Sequence, residues 1–282
     1  MQRTPRHLLA EELNRSESEL DLARAALLIA KEEYPQLSVE LYLARLDQVA
    51  EEVKDRLANE SAPLVVLNEI ISTLYERRKL AGNRAAHHDP RNSFLNDVLD
   101  RGVGAPITLG IVLLEVGWRL GLPVEGVNFP GRFLVRYRGS AIRLLVDPYD
   151  GGAIRFEDQA QEILDQGYGG VVAMRDAFLR PSSKRDILVR LLTGLKSIYT
   201  KVGDDRRALA VVERMLMILP TAPLISRSRG MLLAKLGRLS EAADQLEAYL
   251  RVSPTAGDKA DVLEMVRELR AGEWDGTDDA SI

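Results

Sequence analysis

Apolar residues recur at helical spacing through residues 1–60. After a polar lead-in, ELDLARAALLIAKEEY carries Leu20, Ala23, Leu27 and Ala30 on one face, and Pro35 closes the segment because proline cannot continue a helix. Ser38 then stands as the N-cap of VELYLARLDQVAEEVKDRL. In that segment Val39, Tyr42, Leu43, Leu46, Val49, Ala50, Val53 and Leu57 form one stripe opposite a charged face. The pattern predicts a helical hairpin that buries its apolar side. From Pro63, LVVLNEIISTLYERRKL predicts another helix, followed by the polar loop AGNRAAHHDPRN. Asn92 and Ser93 read as turn and cap residues for FLNDVL, and a further helix starts near Ile107 with Pro106 in its first turn. Beyond Gly121 the runs shorten. VEGV, FLVRY and IRLLVD are β-branched or aromatic-rich and separated by Asn-Phe-Pro-Gly and Arg-Gly-Ser, which predicts a small antiparallel sheet on the Ile107 helix. No room is left for repeated crossover helices, so the class is α+β. Residues 183–282 are helical again until EWDGTDDASI, an acidic tail expected to fray. The expected division is a helical N-terminal region (1–60), a core (61–182) and a helical C-terminal part (183–282).

Composition narrows the function. A chain of 282 residues, 46% hydrophobic and 28% charged, has enough apolar residues for globular units and too many for disorder. A net charge of −4 argues against a non-specific nucleic-acid binder. The absence of cysteine excludes disulfides and cysteine-rich zinc sites. The N-terminus lacks the apolar core of a signal peptide, and no stretch approaches the roughly 18 uninterrupted apolar residues of a membrane span. A cytoplasmic protein with no membrane, nucleic-acid or cofactor partner is expected.

The helical C-terminal part repeats itself. Gly203 and Gly237, Ala208 and Ala242, and Pro220 and Pro254 each lie 34 residues apart, with Tyr199 and Leu233 in register and Lys196 where the second copy has Gly230. Glycine ends the first helix of each pair, alanine lets the two helices approach, and proline ends the second. This resembles two tetratricopeptide (TPR) repeats, with DKADVLEMVRELRAG as a capping helix. The stretches 188–201 and 223–235 contain no acidic residue and carry Arg190, Lys196, Lys201, Arg227, Arg229 and Lys235. Asp204, Asp205, Glu213, Glu241, Asp244 and Glu247 lie on the second helices. Because first helices line the concave face of TPR arrays, the resemblance implies a basic groove of Arg190, Lys201, Arg227 and Lys235, with Met231 as an apolar contact, suited to a protein or acidic peptide.

The middle segment presents Gly104-x-Pro106-Ile107 before a helix, Pro130-Gly131-x-Phe133-Leu134-Val135 before a strand, and Asp147-Pro148-xx-Gly151-Gly152 after another. With Asn92-Ser93-xx-Asn96-xx-Leu99, Arg119-Leu120-Gly121-Leu122 and Ala25-Ala26-Leu27-Leu28-Ile29-Ala30, these motifs resemble the bacterial transglutaminase-like/TPR family of Sir-B type, labelled regulator of sirC expression. The resemblance covers nearly the whole chain. It implies a thiol-enzyme layout: a nucleophile at a helix N-terminus, then a base strand, then an acid strand. The base position, commonly His in that family, is Arg132 here; the nucleophile falls at Ile107 or Thr108; only Asp147 remains.

Arginine cannot take a proton from a hydroxyl, since its pKa lies above about 12. Thr108 as a nucleophile would therefore need His87 or His88, from a loop folded over the helix start. Adjacent histidines in extended backbone point apart, and His87-His88-Asp89 lacks an evident third ligand, so a solvated loop is expected there. The family layout, where it holds, implies that Arg132 and Asp147 occupy neighbouring strands and can pair, either locking a retired site or leaving an anion pocket between Arg132 and the Thr108 helix end, which Asn128 and Tyr149 could also line. DPYDGG reads as a tight turn, and GVGAPIT lacks the ending of a phosphate-binding P-loop. The expected function is a non-enzymatic binding or adaptor protein, a pseudoenzyme in its core, acting through the TPR groove. The alternative is a cryptic amide-bond hydrolase or acyltransferase using Thr108. A transcriptional regulator is not supported, because no helix-turn-helix or basic recognition surface stands out.

Overall fold

The computed structural model describes residues 3–139 and 142–274, which divide between Leu191 and Leu192 into two compact units. The expected acidic tail, from Asp275 on, lies outside the described residues.

In the first unit the N-terminal helices belong to the same body as the core, so residues 1–60 are not a separate region. The expected polar lead-in is itself a helix, α1 (Pro5–Leu13), started by the Thr4 hydroxyl and Pro5. Helix α2 (Leu22–Glu33) is capped by Asp21, whose carboxylate accepts from the Arg24 amide at 2.9 Å; α3 (Val39–Leu57) is capped by Ser38. The stripe of α3 is buried at Leu43, Leu46, Val49, Ala50 and Val53. Helix α4 (Pro63–Ile71) runs into a π-helical turn, Ser72–Arg77, instead of continuing as α-helix. Helix α5 (Leu95–Arg101) follows a 3-10 turn, Pro90–Ser93. Phe94 takes the N-cap position, and Asn92 and Ser93 are buried, so Ser93 is not the cap.

Helix α6 (Pro106–Arg119) is the centre of this unit. Every residue from Ile107 to Gly117 is buried, and α6 packs against α2, α3 and α4. Strands β1 (Ala81–Gly82) and β2 (Val103–Gly104) form a short parallel pair just ahead of it. On its other side lies an antiparallel sheet of four strands in chain order: β3 (Val124–Val127), β4 (Leu134–Arg138), β5 (Arg143–Asp147) and β6 (Ala153–Phe156). Two glycines of α6 let the sheet approach. A Cβ on Gly110 would lie 2.4 Å from the Phe133 ring, and one on Gly117 would lie 2.7 Å from Val124. The opposite face of the sheet is covered by α7 (Ala160–Tyr168), where Val127, Phe129, Leu134 and Leu145 meet Ile163 and Leu164. One buried charge crosses this unit. Glu115 on α6 accepts the Ala23 amide of α2 at 2.9 Å and pairs with Arg119, which donates to Asp47 of α3 at 2.7 Å.

Helix α8 (Lys184–Lys201) contains the boundary between the units, later than expected, and its first turn carries Asp186. The second unit continues with α9 (Asp205–Ile218), α10 (Pro223–Lys235), α11 (Leu239–Val252) and α12 (Lys259–Ala271). Gly203 and Gly237 adopt left-handed φ of 72° and 73° just beyond α8 and α10, and Ala208 and Ala242 are fully buried. Helix α12 covers α11 with Val262, Met265, Val266 and Leu269. Helices α10 and α11 approach closely at Gly230, where a Cβ would lie 2.7 Å from both Cγ and Cδ2 of Leu246. Gly230→Leu is therefore expected to destabilise this unit by about 1–3 kcal/mol, because α10 and α11 must separate; urea denaturation followed by circular dichroism measures it.

Candidate functional site

Three sheet and helix ends, together with one loop, build a cleft of about 490 Å³ lined by Arg84, His87, Pro106, Gly131, Arg132, Asp147, Tyr149 and Asp150. Pro106 comes from the start of α6. Gly131, at φ 70°, turns the chain so that Arg132 enters the cleft ahead of β4. Asp147 ends β5 and caps the 3-10 turn Pro148–Asp150: its Oδ1 accepts from the amides of Tyr149 (2.9 Å) and Asp150 (3.2 Å). The other oxygen, Oδ2, accepts from Arg132 Nη1 at 2.6 Å. Whether Arg132 pairs with Asp147, left open by the sequence, is thus answered: the two are joined.

Behind Asp147 sits Tyr75, from the π-helical turn. Its ring fits because Gly152 has no side chain: a Cβ there would lie 2.6 Å from the ring. The Tyr75 hydroxyl is buried without a hydrogen-bond partner. Burial, reinforced by the Asp147 charge, pushes its ionisation far above the ordinary phenol range.

The loop between β1 and the Pro90–Ser93 turn does fold over the helix start. Asn83 Nδ2 donates to Asn92 Oδ1 at 2.9 Å, Asn92 Nδ2 donates to the Ala86 carbonyl at 2.7 Å, and the Ala86 amide donates to Asn83 Oδ1 at 3.0 Å. The Ala105 amide closes the arrangement on the Asn92 carbonyl at 2.9 Å. Hydrogen bonds from Arg91 hold the Asp89 carboxyl below the usual carboxylate range. His87 is thereby carried to the cleft. Among the described residues, no group of three or more His, Asp or Glu side chains is arranged to hold a metal ion.

Two expectations are corrected. Thr108 does not face the cleft: it is fully buried, and its hydroxyl has no partner. The first turn of α6 is packed on all sides, so Pro106 is what it presents to the cleft. Because the chain has no cysteine, Thr108→Cys introduces a single thiol. That thiol is expected to resist a disulfide-exchange reagent in the native protein and to react fully only after denaturation. Asn128, although exposed, is not among the cleft residues, whereas Tyr149 is. Arg84 and Asp150, joined at 2.7 Å, were not singled out as site residues, since they lie 66 positions apart in a loop and a turn. The Asn83…Asn92 pair flanking the loop was the available signal.

The residues expected to form the basic groove differ in exposure within their own units. Met231 is buried in the second unit at 3% exposure, because its face of α10 belongs to the core. Arg227 is ion-paired to Asp258 at 2.5 Å, and Arg229 donates to Gln245 at 2.6 Å. Burial holds the half-buried Lys196 amine below its ordinary range, and the Arg227 charge adds to this. Lys201 and Lys235 are exposed in the last turns of α8 and α10, where a cation suits the helix dipole. Arg190 belongs to the first unit and donates to the Arg132 carbonyl at 3.1 Å.

A model of the transglutaminase-like superfamily matches residues 40–193, and one of tetratricopeptide repeats matches residues 195–270. Among curated proteins the chain is 35% identical to a UPF0162 protein of Xylella fastidiosa, over 88% of each chain. A UPF0162 protein of Pseudomonas aeruginosa is 27% identical, over 88% of this chain and 90% of its own. F-box only protein 21 of Mus musculus is 38% identical over 85 residues, which are 30% of this chain and 14% of that protein. No solved structure matches.

Proposed function

Because this chain belongs to the transglutaminase-like superfamily and carries tetratricopeptide repeats behind that core, we propose that it is a non-catalytic binding protein whose core cleft has left acyl-transfer chemistry. One observation carries the reading: Arg132 and Asp147, the positions to which the resemblance gives the base and the acid, are joined in an ion pair, beside a helix start whose only hydroxyl is sealed from solvent. Arg132 remains protonated at any physiological pH and accepts no proton, so Asp147 has no imidazole to orient. His87 reaches the cleft, but the Thr108 hydroxyl that it would have to deprotonate is buried away from it.

The repeats then supply the surface for a protein partner, as stacked helix pairs of this kind commonly do. Lys201 and Lys235 are exposed at the ends of α8 and α10. The test has two arms. Incubated with a glutamine-containing peptide, with and without an amine acceptor, the protein is expected to release no ammonia above buffer. Turnover that disappears in Thr108→Ala or His87→Ala would instead establish a hydrolase or acyltransferase. In the second arm, capture from native lysate compares the intact chain with a folded Lys201→Glu/Lys235→Glu variant. A partner lost by the variant supports recognition of an acidic segment; equal capture removes those lysines from the account.

A further inference from the structure

We infer that the cleft is a binding site for a carboxylate on a short apolar stem, read by the free edge of the Arg132 guanidinium. Arg132 spends only Nη1 on Asp147; Nε and Nη2 make no hydrogen bond to protein among the described residues. Those two groups lie on one edge of the guanidinium plane and form a two-donor fork that matches the spacing of a carboxylate's oxygens. The side chain is 36% exposed and lines the cleft.

The arginine is also pre-positioned. Its amide donates to the Phe129 carbonyl at 3.0 Å, its carbonyl accepts from Arg190 at 3.1 Å, and the next residue, Phe133, is fully buried. Little freedom is left for a ligand to remove on binding, which favours affinity. Asp147 does not offer a rival cation site. Two amides take its Oδ1 and Arg132 takes its Oδ2, so its charge is already countered within the protein.

The walls fit the rest of such a ligand. Tyr149 and Pro106 provide apolar surface. Arg84 lies 5.8 Å from the Tyr149 ring centre and is held by Asp150, and it brings a second positive charge to the mouth beside His87. A volume of about 490 Å³ lies within the range of small-molecule pockets. A phosphate is disfavoured by shape: a single fork binds one edge of the tetrahedral anion, and the phosphate has no apolar stem to meet Tyr149 and Pro106. The carboxylate has two sources, a free dicarboxylate or the end of a peptide chain. A chain terminus differs from its amide in this group alone, so the pair separates charge recognition from shape.

Isothermal titration calorimetry on the full chain tests the assignment with four probes: glutarate, a short peptide with a free C-terminus, the same peptide amidated, and inorganic phosphate. Saturable binding of glutarate or the free-acid peptide is expected. Whichever of the two binds more tightly identifies the source, and the amide and phosphate are expected to be at least about tenfold weaker. Arg132→Lys keeps the charge but loses the fork, so it is expected to weaken binding at least about tenfold. Arg84→Gln, at an exposed position, is expected to weaken binding severalfold with no change in thermal stability, and so serves even where a position-132 variant folds poorly. Heat signals that vanish for both carboxylates, an amide that binds as tightly as the acid, or an Arg132→Lys protein of unchanged affinity would each overturn the assignment. None of these outcomes depends on turnover, which separately decides whether the cleft is catalytic.

Discussion

Phe133→Ala is expected to lower the stability of the first unit by about 3–5 kcal/mol, the range for removing a fully buried aromatic ring. The ring lies between two backbones. A Cβ on Gly110 of α6 would meet it at 2.4 Å, and one on Gly126 of β3 would meet it at 2.7 Å. Its loss leaves a cavity lined by main chain, which cannot collapse without moving α6 or the sheet. Gly110→Ala by itself should also destabilise, by about 1–3 kcal/mol, because the added methyl and the ring claim the same space. Combined in one chain, the two substitutions should cost clearly less than their sum, since the methyl then enters the space that the ring vacated. Urea denaturation of the two singles and the double closes the cycle. Strict additivity would mean that Gly110 and Phe133 are not in contact. The same residue holds the cleft, because Arg132 precedes it. Phe133→Ala should therefore also weaken glutarate binding, even at temperatures where the protein is still folded.

Arg119→Ala is the second large effect, also about 3–5 kcal/mol, and it acts through charge rather than volume. Glu115 is 5% exposed and depends on Arg119 for its countercharge; without it, the carboxylate keeps only the Ala23 amide. A buried charge that has lost its partner costs far more than the pair contributes, because desolvation is no longer offset. Replacing both residues by leucine should accordingly cost less than Arg119→Ala alone. The remaining loss would come from the Ala23 amide and from the contact between Arg119 and Asp47. Chemical denaturation distinguishes the outcomes: a double variant as unstable as Arg119→Ala would show that packing, not the stranded carboxylate, sets the cost.

Periodicity alone was sufficient wherever the determinant is local. The stripe on α3, the Ser38 cap, the glycine–proline punctuation of the repeats and the order of three strands all rest on side chains a few positions apart. The repeats were legible for that reason, while the transglutaminase-like core came from the resemblance of its motifs, which left open whether Arg132 and Asp147 pair. The fourth strand, Ala153–Phe156, was missed because it is four residues long at the edge of the sheet, where the burial alternation that marks a strand is absent. The π-helical turn at Ser72–Arg77 was missed as well, since its sequence reads as ordinary helix. Nothing within a few residues of Tyr75 announces that its ring must pack against Gly152.

The chemistry of the cleft divides along the same line. By itself the sequence determined that no thiol exists and that position 132 is an arginine, because those are statements of residue identity. Only the tertiary structure decided that Thr108 is sealed, that His87 and Arg84 reach the cleft, that Met231 is core, and that Arg132 keeps one edge free. Each of these depends on surfaces contributed by segments tens of residues apart. Burial and hydrogen-bond partnership belong to that assembled environment, and no local pattern in the chain encodes them.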